Sequence, residues 1–136
     1  MKFQFSAGGI VYKDKGAKIL LAQHSQHHGW VFPKGLIGDR QKGENKEDTA
    51  RREVEEETGV KAKIIKPLTP VTYWFVLEKE KVRKTVYYFI MEFVGGDITK
   101  HDREMEKVEW LPVEEVEDRL TYPSDKTVWQ EARELI

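Results

Sequence analysis

Seven acidic side chains fall within the fourteen residues from Glu44 to Glu57, and three of them, Glu53, Glu56 and Glu57, stand at i, i+3 and i+4. On an α-helix those positions share one face, where like charges repel by roughly 0.2 to 0.5 kcal/mol per exposed pair. A chain written this way either leaves the face fully in water or sets a cation against it. Hard divalent cations such as Mg²⁺ favour carboxylate and carbonyl oxygens and commonly bridge to substrate phosphates. Metal-assisted phosphoryl or pyrophosphoryl chemistry is therefore the first expectation, and a plain solvated acidic helix is the alternative that charge alone leaves open.

Local signals place that helix. Asn45 suits an N-cap, Asp48 sits near the first turn and Gly59 offers a stop, so a helix is predicted from Lys46 to Thr58. Upstream, Phe3 to Tyr12 reads as an opening strand in which Gly8-Gly9 marks a bulge or a close backbone approach. Lys13 to Gly16 makes a turn, Lys18 to Gln23 returns as a strand, Gln23 to Gly29 is a surface loop, and Trp30 to Phe32 is a short strand that Pro33 interrupts. Val71 to Leu77 and Thr85 to Val94 are apolar and aromatic on both faces, which predicts central strands joined by a charged hairpin, Glu78 to Lys84. Val108 to Leu111 is a last strand, Pro112 can open a helix to about Leu120, and Pro123 precedes a C-terminal helix ending near Leu135. Strands interleaved with two or three helices predict a layered α/β or α+β domain.

Length and composition narrow the partners. A chain of 136 residues is the size of one domain, taken as 1–136, with room for a proper core. Charged residues make up 35% but the net charge is only -1, so no excess of base is available to hold a polyanion and no stable nucleic-acid partner is expected. There is no cysteine, which leaves oxygen ligands or histidine for any metal. Met1 to Ile10 lacks the features of a secretory signal, and no apolar run approaches the roughly 20 residues that span a bilayer. A cytoplasmic protein without membrane contact, monomer or homodimer, is the expectation.

From Glu44 the chain reads E, seven residues, then Arg52-Glu53-Val54-Glu55-Glu56-Glu57-Thr58-Gly59-Val60, which resembles the Nudix box, GX5EX7REUXEEXGU with U aliphatic. Gly38 lies at the formal first position. Gly35 is nonetheless the better match, because Trp30 to Ile37, containing Pro33-Lys34-Gly35, resembles the strand that leads into the box; Gly38 to Lys42 then belongs to a turn about three residues longer than usual in that family. The resemblance implies an α/β/α sandwich with a mixed sheet between helices, and a hydrolase dependent on Mg²⁺ or Mn²⁺. It implies Glu53, Glu56 and Glu57 as metal ligands with the Gly35 carbonyl, Glu56 or a neighbouring glutamate as base, and Arg52 and Glu44 as the groups that hold them. Water must attack a phosphorus shielded by anionic oxygens, which is why such chemistry gathers carboxylates and cations.

Outside the box, the chain resembles the asymmetrical diadenosine tetraphosphate hydrolases, which are MutT-like. The residues that carry the likeness are His27-His28-Gly29-Trp30 before Pro33-Lys34-Gly35, Lys84-Thr85-Val86-Tyr87-Tyr88, and Glu104 six residues before Trp110. It implies Glu104 as a further metal ligand, Lys34, Arg83 and Lys84 as cations for a polyphosphate, His28 near a phosphate, and Tyr73, Trp74 or Tyr88 as the ring on which adenine stacks. The implied partner is a small nucleotide, most simply a dinucleoside polyphosphate. Diphosphoinositol polyphosphates, damaged nucleoside triphosphates, RNA 5′-pyrophosphates and non-catalytic nucleotide sensing are the alternatives.

Overall fold

The computed structural model describes residues 1–38 and 42–136. Along the described residues run β1 (Lys2–Lys13), β2 (Lys18–His24), β3 (Trp30–Val31), β4 (Lys34–Leu36), α1 (Lys46–Thr58), β5 (Val60–Pro67), β6 (Val71–Leu77), β7 (Glu80–Gly96), β8 (Met105–Pro112), α2 (Val116–Arg119) and α3 (Pro123–Arg133). All the strands join one mixed sheet. Its axis is the parallel pairing of β1 with β7, in register from Lys2 against Val82 to Tyr12 against Glu92. β7 is long enough to take β6 antiparallel along its first half and β5 along its second.

Both faces of the sheet are covered. On one side Ile10, Phe32, Tyr88 and Ile90 pack under Val116, Leu120, Val128 and Trp129 of the α2–α3 region. On the other, Val11, Leu20, Phe89 and Met91 pack under Ala50 and Val54 of α1. Two helical layers around a mixed sheet make the expected α/β/α sandwich.

The site depends on how β1 divides. Its middle pairs with β4, with Ala7 opposite Gly35, and its end with β2, with Tyr12 opposite Ile19. Between them the Gly9 N–H donates to the Pro33 carbonyl at 3.1 Å, and a Cβ on Gly8 would lie 2.1 Å from that same oxygen. Gly8-Gly9 is thus the close backbone approach that its spelling announced, and it brings Lys34 and Gly35 against the sheet.

Helix α1 has the predicted bounds. The Asn45 side chain accepts from the Asp48 N–H at 2.8 Å, and Gly59 closes the helix in the left-handed conformation with φ 80°. Other expectations need correction. β6 is not central: among the described residues it pairs only with β7, and Trp74, Val76 and Leu77 are exposed. The charged hairpin is only a two-residue turn at Glu78 and Lys79, both at positive φ, after which β7 begins at once. Pro112 ends β8, and a short 3₁₀ turn leads into the single turn of α2 rather than a continuous helix. β5 is an additional strand, in which Val60, Ala62 and Ile64 alternate with Lys61 and Lys63 in the period of a half-buried strand. The lengthened turn before Glu44 lies partly outside the described residues.

At Gly59 a Cβ would sit 2.1 Å from the Asp97 carbonyl oxygen, whereas at Gly43, also at positive φ, it would meet nothing within 4 Å. Left-handed backbone costs an L-residue roughly 1–2 kcal/mol. Gly43→Ala is expected to lose about that much and Gly59→Ala distinctly more, measured side by side by urea denaturation.

Candidate active site

The acids of α1 are organised by one guanidinium. Arg52 Nε and Nη2 donate to the two oxygens of Glu44, each at 2.9 Å, while Nη1 donates to Glu53 at 2.7 Å and to both oxygens of Glu56 at 3.1 Å. A planar fork of five N–H donors suits this geometry, which an ammonium could not span. Thr49 Oγ1 also donates to Glu44 at 2.7 Å. The Arg52 hydrogen bonds pull the Glu44 carboxyl down to about 2, against the opposing effect of burial, with Thr49 and the Gly38 backbone helping. Glu44 and Arg52 therefore brace the face that carries Glu53 and Glu56.

Glu57 stands on the buried side of the same helix, and its Oε1 accepts the Lys34 N–H at 3.1 Å. Burial pushes its carboxyl well above the ordinary range, and the hydrogen-bonded Glu104 carboxyl beside it pushes the same way. Glu104 reaches it from the segment before β8, which is tied on two sides. The Asp102 N–H donates to the Glu56 carbonyl at 3.0 Å, and the Ser25 N–H to the Glu104 carbonyl at 2.9 Å. Glu53, Glu56, Glu57, Glu104, Asp102, Gly35, Lys34 and Lys84 line one cleft of about 350 Å³.

These groups could hold a divalent cation. Buried Glu57 and exposed Glu104 put two carboxyls in contact, an arrangement that a hard cation relieves. At Gly35 a Cβ would fall 2.1 Å from the Glu53 carboxyl carbon, so only glycine lets that backbone meet the acid. Among the described residues no three such groups already converge around one point. Glu53 and Glu56 are instead turned onto Arg52.

Of the four residues expected to touch substrate from β7 and the histidine loop, only Lys84 faces the cleft. Burial lowers its ammonium to about 8, with Lys34 acting in the same direction and Glu57 and Glu104 opposing. Arg83 lies one residue away and so on the opposite face of the sheet, exposed and over the Trp74 ring. His28 turns outward and pairs with Glu106, and its neighbours His24 and His27 line the cleft instead. Tyr88 is buried between Phe32 and the α3 layer, and its hydroxyl donates to Asp125 at 3.1 Å, so its ring is core rather than a stacking surface.

A second cavity of about 700 Å³ adjoins the cleft and shares His27, Val31 and Lys34 with it. Tyr73 and Phe75 of β6 line it with Tyr122, Pro123, Ser124 and Asp125 from the start of α3. Asp125 is only 3% exposed, bonded to the Tyr88 hydroxyl and the Phe32 backbone, and burial raises its carboxyl above the usual range. Of the residues that line this cavity, sequence reasoning picked out Lys34 and Tyr73. It missed His24, His27, Tyr122 and Asp125, and the one available signal was an aromatic and an acid flanking Pro123 at a helix start.

An acidic helix braced by arginine, opening on a cleft in an α/β/α sandwich, defines a Nudix hydrolase domain. The chain belongs to the NUDIX domain family, which matches residues 2–132. Its sequence is MutT-like. It is 40% identical over 107 residues to a MutT4 mutator protein of Mycobacterium tuberculosis, covering 79% of this chain and 42% of that protein. It is 32% identical over 121 residues to the 8-oxo-(d)GTP phosphatase of Mycolicibacterium smegmatis, covering 89% and 35%. The chain thus spans less than half the length of these relatives. Among solved structures, the Ap4A hydrolase of C. elegans has the same fold, with a TM-score of 0.75 over 97% of this chain and 96% of that one at 21% identity. No helix among the described residues is long and apolar enough to cross a membrane.

Because the Glu44 carboxyl is held at about 2 against an ordinary 4.5, its contribution to stability is fully present above pH 4.5 and is lost as pH falls towards 2. Glu44→Gln is expected to be less stable than the parent at pH 7. The gap between the two urea midpoints should close between pH 4.5 and about 2.

Proposed function

We propose that this domain hydrolyses a phosphoanhydride bond in a nucleoside diphosphate derivative, and that its substrate is a dinucleoside polyphosphate such as diadenosine tetraphosphate, released as a nucleoside triphosphate and a monophosphate. One observation carries the reading: an acid-lined cleft with two lysines opens directly into an aromatic cavity, and the two share His27, Val31 and Lys34. A nucleoside joined to a phosphate chain has that same division between a flat ring and a run of anions. Tyr73 and Tyr122 would face the purine, and Lys34 and Lys84 would hold the phosphates. The C. elegans structure of like fold is named for hydrolysis of Ap4A, which supports the same reading.

Glu53, Glu56, Glu57, Glu104 and the Gly35 carbonyl are the groups assigned to Mg²⁺, for which Mn²⁺ can substitute. When bound, the ion would neutralise phosphate oxygens and favour ionisation of water. The chain's own part is to orient and to take protons. Lys34 and Lys84 align the polyphosphate in the cleft, Arg52 keeps Glu53 and Glu56 from turning into solvent, and a glutamate of the cleft accepts the proton of the attacking water. A positioned base of this kind contributes roughly 10² to 10⁴-fold.

The second reading is clean-up of a damaged guanine nucleoside triphosphate, supported by the M. smegmatis relative's name and by Asp125. A buried carboxylate in the cavity suits the paired N–H donors of a guanine edge. Incubation with diadenosine tetraphosphate, 8-oxo-dGTP and Mg²⁺ in ¹⁸O-labelled water separates the two by rate and by the phosphorus that acquires label.

Glu57→Gln should keep the circular dichroism spectrum and lose at least about 10²-fold in turnover; near-parental hydrolysis at saturating Mg²⁺ would refute the ligand assignment. Lys84→Ala should raise KM for the nucleotide by about tenfold, the loss of one charge-assisted contact. Arg83→Ala, on the far face, should leave the kinetics within about twofold of the parent.

A further inference from the structure

His27 stands where the acidic cleft and the aromatic cavity meet, bordering both. Its Nδ1 accepts from the Gly29 N–H at 3.0 Å and lies 2.9 Å from the Tyr122 hydroxyl. A backbone N–H can only donate, so Nδ1 carries no proton, the tyrosine hydroxyl must donate as well, and the proton of the neutral ring is on Nε2. Gly29 is what allows this meeting. A Cβ there would lie 2.7 Å from Tyr122 Cε2 and 2.9 Å from both His27 Nδ1 and the Tyr122 oxygen.

The rest of the loop holds the ring in place. The His24 N–H donates to the Gly29 carbonyl and the His28 N–H to the His24 carbonyl, each at 3.0 Å, which closes the segment into a tight turn rather than an open loop. His24 stacks on His27 with centroids 4.1 Å apart and planes 9° from parallel. On the other side, Tyr122 meets the ring edge-on at 5.4 Å, and Thr121 is tied to Trp30 through both backbone and hydroxyl. Burial and the neighbouring His24, Lys34 and His28 lower the ring's affinity for a second proton.

We propose that His27 is a specificity-determining residue: its Nε2–H is a fixed neutral donor to the ribose or to the phosphate next to it, engaged only when a nucleoside fills the aromatic cavity while its phosphates occupy the cleft. This rests on the function proposed above and adds to it the group that ties the two compartments together. Lys34 and Lys84 attract any polyphosphate without regard to what it carries. A neutral donor at the junction adds affinity only for a phosphate chain attached to a nucleoside. Tyr122 thereby has two tasks, as a wall for the base and as the hydroxyl that sets the His27 tautomer.

Two measurements test this. Nitrogen-15 NMR of the free protein at pH 7.5 should show His27 with Nε2 protonated and Nδ1 bare; a ring protonated on Nδ1 overturns the inference. Calorimetric binding of ATP and of inorganic tripolyphosphate, both without turnover in Ca²⁺, then reads the role. His27→Phe should weaken ATP about 3- to 10-fold, the worth of one hydrogen bond, and leave tripolyphosphate unchanged, while His27→Gln, which restores a donor near Nε2, should recover most of the loss. Tyr122→Phe, which keeps the ring and removes the hydroxyl, should weaken ATP in the same sense and serves if His27→Phe does not fold. Equal loss for both ligands, or no loss for ATP in either variant, overturns the role of His27. A parent protein that binds ATP no better than tripolyphosphate would sink the nucleoside-cavity reading itself, and this inference with it.

Discussion

One guanidinium sets the terms for the whole site. Arg52 offers five donors, and Glu44, Glu53 and Glu56 all take hydrogen bonds from it. Three carboxylates around one cation leave an excess of negative charge, and the carboxyls of buried Glu57 and exposed Glu104 meet beside them. The arrangement is stable because each acid has a specific partner: arginine and Thr49 for Glu44, arginine for Glu53 and Glu56, the Lys34 N–H for Glu57. Burial raises the Glu57 carboxyl and the adjoining Glu104 carboxyl raises it further, with Lys34 opposing. A divalent cation accompanying a polyphosphate would relieve that pair.

The sheet supplies the position. A strand that divides at Gly8-Gly9 lets the Pro33-Lys34-Gly35 segment press against β1, and the same press sets Gly35 against Glu53. Without side chains at those glycines, the backbone of one element and the carboxylate of another occupy space that a single methyl would close. The segment before β8 is held with equal economy, by one hydrogen bond to the end of α1 and one to the histidine loop. Acids from elements far apart in sequence are brought into one cleft by backbone contacts rather than by attraction between the acids.

The aromatic cavity follows from a different set of forces. Among the described residues β6 pairs only with β7, and Tyr73 and Phe75, two residues apart and so on one face of the strand, line the cavity with the start of α3. Asp125 is kept in that apolar setting by the Tyr88 hydroxyl and the Phe32 backbone, in accordance with the rule that a buried polar group must be bonded. Tyr88 thus belongs to the site only through Asp125, which it holds in place.

What the sequence by itself determined is local: the bounds and capping of α1, the shared face of Glu53, Glu56 and Glu57, the brace of Arg52, the close approach at Gly8-Gly9, and the family. The helix, its shared face and the glycine approach rest on short spacings, where helix and strand geometry fix which side chains are neighbours, whereas the brace of Arg52 and the family were legible through resemblance to the box. The meeting of Glu104 with Glu57 was legible only through resemblance, because no spacing in the chain relates residues so far apart. Which of Arg83 and Lys84 faces the cleft depended on the register of β7 against β1, and a shift of one residue would have exchanged them. Tyr88 and Tyr73 read alike as aromatics in strands, and only the position of α3 covers one and leaves the other on a cavity wall. His27, Tyr122 and Asp125 were decided entirely by the tertiary structure: the α3 start docks Tyr122 against His27 of the histidine loop and Asp125 against Tyr88 and Phe32, long-range contacts that no local pattern encodes.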